Sequence, residues 1–159
     1  MTSNASPEIS AAARAPRLDE LLCFAIYQTN HALNRIYKPL LQDHALTYPQ
    51  YLVLVTLWER DDRSVGDLGA ALGLESNTLT PLLKRLEGSG YLTRTRNPAD
   101  ERQVRVRLTE AGRRIEDKAR GIADCVADAG GLGRAELDDL LAQMKTLRDR
   151  LDAGTATSP

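Results

Sequence analysis

The feature that most constrains this chain is a change of hydrophobic period between residues 64 and 108. Over 65–72 the apolar residues follow a helical spacing, with Leu68 and Leu72 four apart and the small Ala70 and Ala71 between them. Gly73 follows, the residue that closes a helix most cheaply because it enters the left-handed region without a Cβ clash. A second helix is predicted to open near Ser76 or Asn77, whose side chains suit an N-cap, and to carry Leu79, Leu82, Leu83 and Leu86 inward. Its opposite face holds Asn77, Thr78, Thr80, Pro81, Lys84 and Arg85. That face is hydrogen-bonding and basic, which suits a helix laid in a DNA major groove. Pro81 lies early in the helix, so its missing donor affects one local bond.

After Gly88-Ser89-Gly90 the pattern alternates. Strands are predicted at 91–95 and 104–108, joined by the turn-forming run Asn97-Pro98-Ala99-Asp100. The two helices and the hairpin together predict a winged helix-turn-helix. From residue 94 to 107 the hairpin carries five arginines (Arg94, Arg96, Arg102, Arg105, Arg107) against Asp100 and Glu101, in a chain of net charge -1. A positive excess this local points to a polyanion met along one edge. On a charge run alone a solvated face is the better reading; its position directly after a helix-turn-helix favours nucleic acid.

The flanking sequence is helical and too apolar for its size. A helix is predicted over 18–36 with Leu18, Leu22, Ile26, Leu33 and Ile36 in one stripe, followed by a short second helix at 37–42 opened by Lys38-Pro39. A third begins at Tyr48-Pro49-Gln50 with Thr47 as cap and Tyr51, Leu52, Leu54, Val55 and Trp58 as core, and 60–63 is a polar turn. Beyond the hairpin, Thr109 caps a helix predicted over 110–129 with Ile115, Ala119, Ile122 and Val126 inward. The run 130–133 breaks it, and a last helix over 134–152 repeats Leu137, Leu140, Leu141, Met144, Leu147 and Leu151. The small middle unit has too little surface to cover these stripes, so a symmetric homodimer is expected. The fold class is therefore mainly α with a small β-hairpin wing: a winged helix-turn-helix at 48–108, a helical dimerisation region at 17–47 and 109–153, and flexible ends at 1–16 and 154–159. No apolar run is long enough to span a bilayer and the first residues lack a secretion signal, so a cytoplasmic protein with no membrane partner is expected.

The segments Leu68-Gly69-Ala70-Ala71-Leu72-Gly73-Leu74, Leu79-Thr80-Pro81-Leu82-Leu83-Lys84-Arg85-Leu86-Glu87, Asp100-Glu101-Arg102 and Leu108-Thr109-Glu110-Ala111-Gly112 resemble the MarR family of dimeric winged-helix regulators. The resemblance implies a repressor that binds a pseudo-palindromic duplex. It also implies that Arg102 enters the minor groove and that Asp100 helps hold it. The DNA-binding set is then Ser76, Asn77, Thr78, Thr80, Pro81, Lys84, Arg85, Arg94, Asp100 and Arg102.

Two cysteines remain, Cys23 and Cys125. A helical cysteine in a reducing compartment is usually a small buried hydrophobe, and Asp19 and Glu20 just before Cys23 do nothing to favour a negative sulfur. The run Leu22-Cys23-Phe24-Ala25-Ile26-Tyr27, with Tyr37 and Tyr48 at matching later positions, resembles the organic-hydroperoxide-sensing (OhrR) branch of the family. The resemblance implies that Cys23 is the redox-sensing thiol and that Tyr37 and Tyr48, from the other subunit, donate hydrogen bonds to its sulfur. It also implies, as in the two-cysteine type, that Cys125 of the partner subunit is the resolving cysteine. Organic hydroperoxide is then the inducer.

His31 and His44 are isolated, and no phosphate-binding glycine loop, catalytic triad or Cys-x-x-Cys occurs, so no cofactor and no metal is expected. Two other readings stay open at this stage. One is a repressor of the same fold induced by a small aromatic or amphipathic ligand, with inert cysteines. The other is a thiol peroxidase, disfavoured because a DNA-reading hairpin would then have no use; the chain is expected not to be an enzyme.

Overall fold

A computed structural model describes residues 15–155. A single 3-10 turn, Leu18–Glu20, precedes α1 (Leu22–Gln42) and α2 (Tyr48–Glu59); then come β1 (Arg63–Ser64), α3 (Val65–Leu72) and α4 (Ser76–Gly88). The hairpin strands are β2 (Leu92–Asn97) and β3 (Asp100–Leu108), and the chain finishes with α5 (Glu110–Ala119), α6 (Ile122–Ala129) and α7 (Arg134–Thr155). The flexible ends expected at 1–16 and 154–159 lie outside the described residues except for 15–16 and 154–155, and the latter pair is helical.

The core is built around α2. Val53, Leu54 and Leu57 are fully enclosed, and they meet Leu68 of α3, Leu79, Leu83 and Leu86 of α4, and Val106 of β3. Its segment YLVLVTLW is apolar all round, so no single stripe marks its inner face. That is why Val53 and Leu57 escape the sequence reading, while Leu52, Val55 and Trp58 prove only half-buried. On α4, Leu82 is likewise half-buried.

Three boundaries differ from expectation. The helices predicted at 18–36 and 37–42 are one α1 with Pro39 inside it. A proline there loses the bond to the carbonyl four residues back and crowds that carbonyl, and Leu41 two residues on is anchored in the core. The helix predicted over 110–129 is instead broken between α5 and α6 at Arg120-Gly121. Ala119 and Ile122 on either side of the break are both buried. Third, the polar turn at 60–63 ends in a strand, for β1 pairs antiparallel with β3 (Arg63 opposite Val106, Ser64 opposite Arg105) and makes a three-stranded sheet of order β1-β3-β2.

Helix ends follow the local chemistry closely. Ser64 and Asp67 form a reciprocal capping box on α3, Asp67 N–H to Ser64 Oγ at 3.0 Å and Ser64 N–H to an Asp67 carboxylate oxygen at 3.2 Å. Gly73 closes α3 at φ 64°, ψ 34°. Thr109 Oγ1 accepts from Gly112 N–H at 3.1 Å and donates to the Gly90 carbonyl at 2.6 Å, tying α5 to the start of the wing.

Outside this core the apolar stripes remain open. Leu18, Leu22, Ile26 and Leu33 are exposed along the first helical segment, as are Leu140, Leu141, Met144 and Leu151 on α7. Over 134–154 no residue of α7 is buried. Among the described residues no helix is long and apolar enough to cross a membrane.

Candidate nucleic-acid interface and thiol site

Helix α4 presents Ser76, Asn77, Thr78, Pro81, Lys84 and Arg85 to solvent, with Thr80 half-buried, while Leu79, Leu83 and Leu86 hold the other side in the core. The cap expected at Ser76 or Asn77 is instead Glu75, which makes no side-chain cap bond. Ser76 and Asn77 lie inside the helix, where Thr80 Oγ1 donates to the Ser76 carbonyl at 2.7 Å and Thr78 Oγ1 to Asn77 Oδ1 at 3.2 Å. Their outward edges stay open. An open cleft of about 530 Å³ runs between this helix and the wing, lined by Ser64, Ser76, Thr80, Arg94 and Arg102 among others.

The hairpin register places Leu92 opposite Leu108, Arg94 opposite Val106 and Arg96 opposite Val104, with a bulge between Arg96 and Asn97 just before the tip. Because paired residues share a face, Val106 and Leu108 turn the inner face toward the core, and Thr93, Thr95, Arg105 and Arg107 line the outer one. At the tip, Asp100 Oδ1 accepts from the backbone N–H of Arg102 at 3.1 Å. The acid thus holds the backbone that carries Arg102 and leaves the guanidinium exposed.

Arg94, a member of the expected DNA-binding set, is paired within the chain. Its guanidinium meets Glu87 Oε2 at 2.7 and 3.0 Å, and its N–H donates to Glu87 Oε1 at 3.0 Å, which bolts β2 to the end of α4. The Arg94 side chain holds the Glu87 carboxyl below the usual glutamate range. Arg105 and Arg107 are paired too, both with Asp62. The positive excess counted along the hairpin is therefore smaller in space, since folding brings Glu87 and Asp62 against three of its five arginines. Both acids lie outside the 94–107 run, Glu87 seven residues before Arg94 and Asp62 43 residues before Arg105.

Cys23 on α1 and Cys125 on α6 are both free and exposed, and α1 packs against α6. Tyr37 and Tyr48 are brought together, ring centroids 4.5 Å apart, with Tyr51 6.0 Å from Tyr37. Burial, and then the neighbouring Tyr48 and Tyr51, push the Tyr37 phenol up to about 12; burial raises Tyr48 as well. Both are thus protonated, hydrogen-donating phenols at neutral pH. Cys23 lies fourteen residues before Tyr37 on the same helix, about 21 Å along its axis. The tyrosine pair therefore does not reach the cysteine of its own chain.

A helix-turn-helix whose second helix shows an open polar and basic face, flanked by an arginine-tipped hairpin, defines a winged-helix protein built to read nucleic acid. Comparison with known proteins narrows the class. Residues 35–119 match the family model for the transcriptional regulator SarA/Rot. The HTH-type transcriptional regulator TtmR of Methylorubrum extorquens is 48% identical over 136 residues, 86% of this chain and 70% of that protein. The organic hydroperoxide resistance transcriptional regulator of Bacillus subtilis is 39% identical over 135 residues, 85% of this chain and 92% of that protein. Among solved structures, reduced AbfR bound to DNA superposes with a TM-score of 0.74 at 34% identity, over 86% of this chain and 94% of that one. Disulfide-formed AbfR superposes at 0.61 with 35% identity, over 89% and 94%. The chain belongs to the family of SarA/Rot- and MarR-type winged-helix transcription regulators.

Proposed function

We propose that this regulator is a homodimeric DNA-binding repressor that senses organic hydroperoxides through Cys23 and releases its operator when Cys23 is oxidised. The observation that carries the reading is the placement of an exposed Cys23 beside the uncovered apolar stripe of Leu22 and Ile26, one long helix away from a paired, protonated Tyr37 and Tyr48. A second copy laid antiparallel on that stripe supplies cover for the leucines and brings its tyrosine pair toward the thiol. The 39% relative named for organic hydroperoxide resistance, and the relative solved both reduced on DNA and with a disulfide formed, support the same assignment.

In this reading the two recognition helices enter successive major grooves, with Ser76, Asn77, Thr78, Thr80, Lys84 and Arg85 at the bases and phosphates and Arg102 in the minor groove. The Cys23 thiolate attacks the distal peroxide oxygen, the O–O bond breaks, the alkoxide leaves as an alcohol after taking a proton, and the sulfur becomes a sulfenic acid. The thiol of Cys125 of the partner subunit then displaces water to form a disulfide, and two equivalents of a cellular thiol reverse it. Drawing α1 and α6 of two chains into bonding distance shifts the wings relative to half-sites about one DNA turn apart.

A non-reducing denaturing gel after one equivalent of cumene hydroperoxide tests this, with Cys23→Ser and Cys125→Ser alongside. A covalent dimer formed by the parent and by neither variant is the expected result. Peroxide release of DNA that persists in Cys23→Ser overturns the thiol mechanism.

A further inference from the structure

The turn between α2 and β1 holds an acid that the DNA-reading surface does not explain. Asp62 sits at φ 55°, a left-handed conformation uncommon outside glycine, asparagine and aspartate. From there its carboxylate meets two arginines of the outer wing face. Oδ1 accepts from Arg105 Nε at 2.9 Å and lies 3.0 Å from Arg107 Nε, and Oδ2 accepts from Arg107 Nη2 at 3.1 Å. The Asp62 carbonyl accepts from Arg105 Nη2 as well. Asp61 fixes the turn itself, for its carboxylate accepts from the Leu108 backbone N–H at 2.9 Å and pairs with Arg113. Arg105 and Arg107 stand with Arg96 around an open recess of about 480 Å³ beside the wing tip, on the same hairpin as the exposed Arg102.

We propose that Asp62 is a specificity-determining residue: it acts as a built-in substitute for DNA phosphate, engaging Arg105 and Arg107 so that sequence-blind charge does not dominate binding. A carboxylate presents the same paired oxygens to a guanidinium fork as a phosphate does. With Asp62 in place, both guanidinium groups are engaged and half of their charge is offset, the wing strand is held in register, and binding rests on Arg102 and the exposed face of α4. Without it, two cations per chain become free to release counterions from any duplex. The inference rests on the DNA-binding reading and is independent of the peroxide chemistry.

The test is fluorescence anisotropy with a 30-base-pair random-sequence duplex and with a duplex enriched by the parent protein from a random pool, each over a range of salt. Asp62→Asn keeps the left-handed turn accessible while removing the charge. It is expected to bind the random duplex about five- to tenfold more tightly at low salt, with a log K against log salt slope steeper by about 1–2, and to lose preference for the enriched duplex. Arg107→Gln in the otherwise unaltered chain is expected to leave the slope unchanged, and in the Asp62→Asn background to remove about half of the gain. An Asp62→Asn variant that binds random duplex no more tightly overturns the proposal. So does an Arg107→Gln variant whose slope is already flatter by about 1, a result that holds even if Asp62→Asn fails to fold. A parent protein that binds neither duplex at low salt overturns the DNA-binding reading and this inference with it.

Discussion

Replacing Gly112 by alanine tests the joint between the wing and α5. A Cβ built at Gly112 lies 2.0 Å from the Tyr91 carbonyl oxygen and 3.1 Å from Leu108 Cδ2. The first contact is to backbone that is itself engaged, since the Tyr91 carbonyl accepts from Thr109 N–H at 3.0 Å. Relief therefore requires α5 to lift from the hairpin. That movement pulls on two further bonds, Gly112 N–H to Thr109 Oγ1 at 3.1 Å and Trp58 Nε1–H to the Gly112 carbonyl at 2.8 Å. Overpacking of this kind costs about 1–3 kcal/mol, and each weakened bond adds about 1 kcal/mol. A total near 4 kcal/mol lowers Tm by about 8–16 °C in a chain of this length. Thermal unfolding followed by circular dichroism at fixed protein concentration measures it, and the fluorescence of Trp58, the single tryptophan, reports the broken indole bond in the folded state. Gly88→Ala is the control: nothing lies within 4 Å of its Cβ, so its Tm stays within a few degrees of the parent. A Gly112→Ala protein melting within 2 °C of the parent, with Trp58 emission unchanged, refutes the reasoning about this joint.

Arg102→Ala is expected to weaken operator binding by about ten- to a hundredfold while dimer formation and peroxide-driven disulfide formation persist; anisotropy alongside the non-reducing gel separates the two. Acid acts on the wing through Asp62, whose carboxyl Arg105 and Arg107 hold down at about 2 from an ordinary 3.8. A lowered carboxyl contributes its stability above the unfolded value and loses it as pH falls through the folded one, so the Tm difference between the parent and Asp62→Asn closes between pH 3.8 and about 2. At the alkaline end the sign reverses, because Tyr37 is raised from 10.0 to about 12 and contributes most below pH 10, losing that contribution as pH climbs toward 12. Tyr48 and Tyr51 are raised as well, so absorbance at 295 nm is expected to show several late-titrating tyrosines, of which the latest disappears in Tyr37→Phe.

Local signals in the sequence predicted most of the fold. The αL glycine at Gly73, the Thr47 and Thr109 caps, the turn at 97–100 and three of the four inward leucines of α4 (Leu79, Leu83 and Leu86) each act within a few residues, and each appears where the pattern places it. Pro39 and Gly121 went the other way, a breaker that does not break and a helix that does. At both positions distant packing decides: Leu41 holds α1 on past its proline, while Ala119 and Ile122 are each buried on either side of a residue with no side chain to lose. Strand β1 was invisible for the same reason, since two residues have no period and exist as a strand only because β3 runs beside them.

The interface was legible in its residue types and illegible in its charge. Arg94 and Arg102 look alike along the sequence, yet one is consumed by Glu87 seven residues back and the other stands exposed at the tip. Asp62 is separated from Arg105 by 43 residues, so no window over the hairpin registers it. The thiol site carries this further. Folding joins Tyr37 to Tyr48 across the α1–α2 turn, a contact that a single chain completes, whereas the distance from Cys23 to that pair is set by the length of α1 and no side-chain rotation shortens it. A cysteine that needs those phenols must therefore take them from a second copy, and the stripe on which such a copy would lie is the same one that leaves Leu22 and Ile26 uncovered. Under the proposed function, dimerisation and peroxide sensing become one requirement, because the apolar stripe that a second copy would cover runs beside the thiol.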